Sequence, residues 1–194
     1  PLPAAAERAV DRLADPFYDL DLAFEDRVAR GEGASEVWEA FTAADTLQDP
    51  AARIDVLEEA LAAVRASGDI WPQGRLLYEL AEARTVAGEY EEALADVRQS
   101  QALLGDQRGP GSREVAAALD LEGKILIAKH DLQAARPVVD RARALREQAQ
   151  GPDHPDVAAS LNTLASLLHF EAPQSEEVVQ LLKRALAIRE QALR

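Results

Sequence analysis

The sequence contains no cysteine and no methionine, and each absence excludes something. Without cysteine there are no disulfides, no thiolate metal ligands and no cysteine nucleophile. The missing methionine, with a proline as first residue, predicts a piece of a longer protein rather than a complete gene product. The three histidines are far apart in the sequence, so no metal site and no cofactor are predicted.

Basic residues are also scarce. Lys and Arg number 21 against 35 Asp and Glu, which gives a net charge of −14. A nucleic-acid partner is therefore not expected, because binding to the phosphate backbone needs a basic surface. Long uncharged apolar runs are missing, so no membrane-spanning helix is predicted. No basic and apolar leader is visible, and we expect a cytoplasmic protein.

What the sequence does contain favours helix. It is rich in Ala, Leu, Glu and Arg, which are among the strongest helix formers. It also repeats itself. Ala144–Ala149, read ALREQA, returns as AIREQA at Ala187–Ala192, a shift of 43 residues. A period of this length predicts stacked helical hairpins, each of which buries its apolar face against its neighbours.

Apolar periodicity and turn residues divide 34–194 into hairpins. Gly105–Ser112 is predicted to be a loop, and 1–33 is predicted to form two short helices. That N-terminal pair is a degenerate first hairpin or a cap of the array, or it occupies the groove. The hairpins are predicted to span about 35–66, 74–104, 113–149 and 155–193.

The hairpins align with one another. A shift of 42 superimposes the first helices, and the last hairpin matches at 43 in its second helix, where Val139 corresponds to Leu182. Small residues recur at one position because two helices approach closely only where the crossing point carries Gly or Ala. The aligned positions are Leu77, Leu119 and Leu161, and the small residues are Ala81, Gly123 and Ala165.

Three segments resemble one known family. Gly88–Ala93 reads GEYEEA, Gly151–Ala165 reads GPDHPDVAASLNTLA, and Lys183–Glu190 reads KRALAIRE. These resemble tetratricopeptide repeats of the long-period, kinesin-light-chain type common in bacterial signalling proteins. The resemblance implies an all-α fold, a right-handed α-solenoid of antiparallel helix pairs with about four hairpins. His130 departs from the pattern, since it replaces a turn glycine.

The resemblance also implies where a ligand binds. In this family the first helix of each hairpin lines a concave groove, which its second, fifth, ninth and twelfth positions face. In this sequence those positions include Ile127 and Ala159. The side chains predicted to contact a partner are Trp38, Asp45, Arg75, Tyr78, Glu82, Asp120, Lys124, Asn162, Ser166 and His169.

The predicted function is a non-catalytic scaffold that binds a protein or peptide segment, as the regulatory part of a larger signalling protein. Because Asp45, Glu82 and Asp120 repel carboxylates, we expect a basic or neutral segment. An alternative is self-association into a homo-oligomer through the C-terminal hairpin, whose last helix keeps Leu182 and Leu186 apolar. An enzyme on a helical-repeat scaffold is the third hypothesis, disfavoured because no catalytic motif is present.

Overall fold

A computed structural model shows α-helices joined by short connections, which confirms the all-α prediction. The helices are α1 Ser35–Thr46, α2 Pro50–Ser67, α3 Gln73–Ala87, α4 Tyr90–Arg108, α5 Arg113–Ala128, α6 Leu132–Gln150, α7 Pro155–Glu171 and α8 Glu176–Ala192. The residues that the structure describes are 16–17, 21, 23, 26–27, 29–30, 35–70 and 72–192, without the side chains of 35, 36, 38 and 45. The predicted N-terminal pair, 1–33, lies mostly outside them, and the domain boundary after it stays a prediction.

Helix starts are fixed by side chains that accept backbone hydrogen bonds. Asp49 and Ser112 each accept from the amide three residues ahead, at the starts of α2 and α5. Asp131 does the same for α6. Pro50 is the first residue of α2, where its missing N–H costs nothing and its fixed φ suits a helix. These turn residues therefore define the helix boundaries locally.

Helix ends use the left-handed conformation. Gly68 and Gly88 adopt φ of 75° and 85° directly after α2 and α3. After α5, His130 takes φ 62° although it carries a side chain. Its ring lies edge-on to Phe170 with 5.2 Å between centroids, a contact that supports this conformation. The turn geometry of the repeat is therefore kept without glycine.

The predicted loop at Gly105–Ser112 is wrong over its first half, because α4 continues to Arg108. Two contacts hold this last turn. Leu104 is fully buried, and the Gln107 amide nitrogen donates to the carbonyl oxygen of Ile70 at 2.7 Å. A glycine inside a helix costs about 1 kcal/mol, and we attribute the extra turn to these tertiary contacts, which outweigh that penalty.

The chain divides into two compact units, and the first lies within 17–110. In it α1 packs on α2, α2 on α3, and α3 on α4. The apolar face of α2 is buried throughout and consists of Ile54, Leu57, Ala60, Leu61 and Val64.

The second unit contains the described residues from 111 onward. Here α5 pairs with α6 and α7 with α8, while α7 also packs on both α5 and α6. Gly123 lies where α5 and α6 cross, and a Cβ atom there would stand 2.5 Å from Val139 Cγ2. The close approach of these two helices therefore requires glycine, as the pattern of small residues predicts.

Candidate functional site

A groove of about 450 Å³ opens on the second unit, along α5 and α7 and beside the end of α8. Residues three and four apart on a helix share one face, which is why each helix contributes a short series. The lining residues are Lys124, Ile127 and Ala128 of α5, Ala159, Asn162, Thr163 and Ser166 of α7, and Arg189 of α8.

Three of the predicted contact residues are brought together here, Lys124, Asn162 and Ser166. Ile127 and Ala159, which belong to the same predicted groove positions, lie between them. The Ser166 hydroxyl donates to the backbone carbonyl of Asn162 at 3.0 Å, and both residues line the groove. An amide both donates and accepts hydrogen bonds, the pattern that a peptide backbone needs.

Asp120 has an internal role in this structure. It is 2% exposed. Its carboxylate oxygens lie 3.1 Å from Lys124 Nζ and 3.7 Å from an Arg146 guanidinium nitrogen. Because both cations compensate this carboxylate within the fold, Asp120 adds little negative charge to the groove surface.

Arg146 joins three helices from a buried position. One of its guanidinium nitrogens donates to the Ser160 hydroxyl at 2.7 Å and to the Asp156 backbone carbonyl at 3.1 Å. Asp156 in turn accepts from Arg113 at 3.0 Å and from Gln150 at 2.9 Å. Burial raises the pKa of Asp156, but these hydrogen bonds and the positive charges of Arg113 and Arg146 outweigh it and hold the pKa below its usual value.

His154 caps α7. Its Nδ1 accepts a hydrogen bond from the Asp156 amide at 3.2 Å, so this histidine has a structural role at the start of the helix. Burial lowers the pKa of His154, and the neighbouring Asp156 carboxylate only partly counteracts this. A neutral imidazole is what the cap requires, because a protonated Nδ1 is a donor and cannot accept.

In the first unit, Arg75 and Tyr78 contact the chain's own N-terminal residues. The Phe17 ring lies 4.6 Å from the Tyr78 ring, and the Arg75 guanidinium carbon lies 4.4 Å above Phe17. Arg75 Nε also lies 3.3 Å from Asp21, and its guanidinium pairs with Glu79. The Arg75 side chain is 12% exposed as a result, so two predicted ligand contacts are occupied internally.

The other predicted residues are not gathered at the groove. Glu82 lies 3.4 Å from the Tyr78 hydroxyl, which donates to it. His169 is exposed in the last turn of α7, beside Phe170 and apart from the groove lining. Trp38 and Asp45 lie on α1, but their side chains are outside the described part.

Arg189 was missed by the sequence analysis. The repeat register places ligand contacts on the first helix of each hairpin, whereas Arg189 belongs to a second helix. A signal existed, because the 43-residue shift aligns Arg189 with the buried Arg146. Within the described residues, Arg189 makes no hydrogen bond or ion pair.

Neither a metal site nor a membrane-spanning helix is found in the described part of the chain. Among its His, Asp and Glu side chains, no group of three is placed to hold a metal ion. Across the same residues, none of the helices combines the length and apolarity that a membrane span needs.

The chain is similar to known proteins in sequence over one segment and in fold over a longer one. A family model described as tetratricopeptide repeat matches 114–191. Over these residues the chain is similar to tetratricopeptide repeats. The chain is similar in fold to the crystal structure of BtubC (BKLC) from P. vanneervenii, with a TM-score of 0.68 and 20% identity; the match covers 97% of this chain and 75% of that one. Among curated proteins, no sequence matches this chain.

Two further solved structures are of a putative kinesin light chain from Podosopora anserina with nearly identical TPR-like repeats. One of them, the structure of a single-substitution variant, has a TM-score of 0.52 at 19% identity and covers 91% of this chain and 96% of that one. The other has a TM-score of 0.51 at 19% identity, covering 93% and 99%. These identities show the fold alone, and the predicted TPR-like α-solenoid class is confirmed. TPR repeats commonly mediate protein–protein interaction and are generally non-catalytic.

Proposed function

We propose that the TPR repeats of this chain bind a peptide or protein segment in the groove between α5, α7 and Arg189. The observation that carries the proposal is the groove lining, because five of its eight residues are positions that the repeat pattern predicts to face a ligand. The groove's volume of about 450 Å³ falls in the range of about 300–1,000 Å³ typical of binding sites.

The lining suits a backbone in extended form. Ile127, Ala128 and Ala159 supply apolar contact, while Asn162 supplies a donor and an acceptor for one peptide unit. Ser166 is exposed beside it, and its hydroxyl oxygen can accept a further hydrogen bond, because its proton is donated to the Asn162 backbone carbonyl. Apolar floor with a few placed polar groups is the usual composition of a recognition site.

The charge of the groove indicates the charge of the peptide segment that it can bind. Sequence reasoning favours a basic or neutral one because of Asp45, Glu82 and Asp120. Asp120 is buried and compensated by Arg146 and Lys124, and it does not line the groove. The charged lining residues are Lys124 and Arg189. For this groove we therefore propose a neutral or acidic segment.

The experiment is selection of peptides from a random display library on the intact chain, followed by titration of a selected peptide. Asn162→Ala removes an amide with no other side-chain partner in the described structure. We expect it to weaken binding about tenfold, since two lost hydrogen bonds are worth about 1–3 kcal/mol together. Gln133→Ala on the exposed side of α6 is the matched control. If both variants bind the peptide with the same affinity, the groove is not the binding site.

The remaining predictions are proposals of the same kind. We propose a non-catalytic, regulatory role in a larger signalling protein of the cytoplasm, as the TPR scaffold suggests. Self-association through the C-terminal hairpin is the second candidate, favoured by the 58% exposure of Leu186 on α8. Sedimentation of the chain over a hundredfold concentration range tests it, because a constant mass would exclude it.

A further inference from the structure

The first unit encloses an aromatic side chain from the N-terminal part of the chain at the start of α3. Phe17 is 1% exposed, and its ring lies 4.6 Å from the Tyr78 ring. The Arg75 guanidinium carbon lies 4.4 Å from the centre of the Phe17 ring and 4.8 Å from that of the Phe41 ring. Aromatic faces attract a guanidinium group at such distances. Phe41, Arg75 and Tyr78 therefore form a pocket that holds one aromatic ring.

A carboxylate binds beside this pocket. Arg75 Nε donates to both carboxylate oxygens of Asp21, at 3.3 Å and 3.4 Å. The Asp21 amide also donates to the Phe17 backbone carbonyl at 2.9 Å, and a bond between residues four apart marks one helical turn. Because residues four apart lie on the same helix face, the segment presents its ring and its carboxylate to α3 together.

Other contacts of the first unit hold the arginine of this pocket in place. Arg75 pairs with Glu79 on its own helix, and Glu79 also pairs with Arg53 of α2. Glu79 is 6% exposed, so the carboxylate that links the two arginines is shielded from solvent. The pocket is therefore positioned by α2 and α3 themselves, and binding sites are usually preformed in this way.

Phe17 lies outside the apolar core that joins α1, α2 and α3. That core includes Val37, Leu57 and Leu77, and among the described residues Phe17 is not a member of it. Arg75 and Tyr78, by contrast, stand at positions of α3 that the repeat pattern predicts to face a ligand. Phe17 therefore contacts the side of α3 that the pattern assigns to a partner.

We propose that the pocket of Phe41, Arg75 and Tyr78 is a second partner site and that Phe17 and Asp21 fill it as an internal ligand. The internal ligand shows what the partner carries: a helical segment with an aromatic residue and, four positions later, a carboxylate. Arg75 would repel a basic residue at the second position, and an aliphatic residue at the first would lose the ring contacts. Partner and internal ligand compete, because the pocket holds one ring.

Attachment to the chain favours the internal ligand over a partner. Residues 31–34 alone separate Arg30 from the start of α1 at Ser35. A ligand tethered by so short a connection competes at an effective concentration of about 1 mM. A partner segment therefore binds weakly until the internal ligand is weakened or displaced. The pocket shares no residue with the groove of α5 and α7, and the inference does not rest on the function proposed for that groove.

The probe is a labelled peptide with the sequence of residues 16–30, titrated against the full chain by fluorescence anisotropy. Phe17→Ala with Asp21→Ala in the chain opens the pocket, and we expect this opened chain to bind the peptide at least tenfold more tightly than the native chain. In the peptide, Phe17→Ala is expected to weaken binding to the opened chain at least tenfold. Asp21→Ala is expected to weaken it about fivefold, because its ion pair with Arg75 is partly exposed.

A further substitution identifies the arginine that reads the carboxylate. When Arg75→Ala is added to the opened chain, the unchanged peptide and its Asp21→Ala form are expected to bind equally. Arg65→Ala is the matched control, since it removes an exposed arginine of the same unit that donates to Gln99 at 3.1 Å. With this control the preference for Asp21 is expected to stay about fivefold.

Equal binding of the peptide by the native and the opened chain overturns the proposal, and so does a Phe17→Ala peptide that binds as tightly as the unchanged one. If the opened chain no longer unfolds cooperatively in urea, Phe17 is part of the folded core and the proposal fails. A native dimer in sedimentation that dissociates in the opened chain also overturns it, in favour of exchange of the segment between copies. Asn162→Ala changes the groove alone and Arg75→Ala this pocket alone, so the failure of either proposal is seen separately.

Discussion

Replacement of Arg146 by leucine tests whether its buried hydrogen bonds and ion pair stabilise α6 at a position where the first unit has an apolar side chain. The 42-residue shift aligns Arg146 with Leu104, which is fully buried in the first unit. A leucine side chain is therefore compatible with this position in the fold. The change nevertheless leaves Asp120, 2% exposed, without its guanidinium partner, and removes the donor to Ser160.

The expected loss of stability depends on the contacts that Asp120 keeps after the change. Removing one partner of a buried ion pair costs about 3–5 kcal/mol. Lys124 still lies 3.1 Å from one Asp120 oxygen, so we expect the lower end, about 3 kcal/mol. A second change, Asp120→Asn, copies the neutral residue at Asn162 and removes the buried charge. We expect the double variant to lose only about 1 kcal/mol, because an apolar or neutral replacement of a buried pair is often tolerated.

Urea unfolding followed by circular dichroism measures these differences for the native chain, both single variants and the double variant. In a thermal melt of a chain of this size, a loss of about 1 kcal/mol in the free energy of unfolding lowers Tm by about 2–4 °C. Arg146→Leu is therefore expected to lower Tm by about 6–12 °C. The cycle of four proteins isolates the coupling between the two residues. A loss below 1 kcal/mol for Arg146→Leu, or a double variant whose loss equals the sum of the singles, would mean that Arg146 and Asp120 do not form a stabilising buried pair.

Three other predictions concern the repeats. Gly88→Ala is expected to destabilise the folded chain by at least about 1 kcal/mol, because φ is 85° at Gly88. Gly105→Ala, inside α4, is expected to stabilise it by about 1 kcal/mol. A Cβ atom at either position meets no atom within 4 Å, so chemical denaturation of the two variants compares the backbone effects alone. Gly123→Ala is expected to destabilise by about 1–2 kcal/mol through Val139, with Val139→Ala in the same chain removing most of that clash, as a thermal melt would show. Because the folded pKa of His154 lies below its usual value of about 6.5, stability is expected to fall as pH drops through 6.5 towards that pKa. His154→Asn, which keeps a cap acceptor, is expected to flatten this dependence in urea titrations at pH 7.5 and 5.5.

The helices were predictable because their signals are local. The cap of Asp49, the proline after it and the apolar spacing of α2 all act within one helix, and the structure follows them. The end of α4 was not predictable in this way. Gly105 reads as a break, but the hydrogen bond of Gln107 to Ile70 comes from a distant part of the chain. Such tertiary contacts leave no periodic trace in the sequence.

The site was predictable in part for the same reason. The repeat register placed Lys124, Asn162 and Ser166 on one face, since it depends on helix periodicity alone. It gave no information on which charges are compensated, so it could not distinguish the buried Asp120 from the solvent-facing side of the groove. Nor did it show that Arg75 is covered by Phe17. Burial and pairing depend on residues far apart in the sequence.

We propose that the groove between α5 and α7 recognises a peptide, and the decisive measurement is the affinity of one library-selected peptide for the chain. The dissociation constant is measured by fluorescence anisotropy for the native chain, Asn162→Ala and Gln133→Ala. We expect the dissociation constant to rise about tenfold for Asn162→Ala and to stay unchanged for Gln133→Ala. An equal dissociation constant for all three proteins would show that the peptide does not bind in this groove.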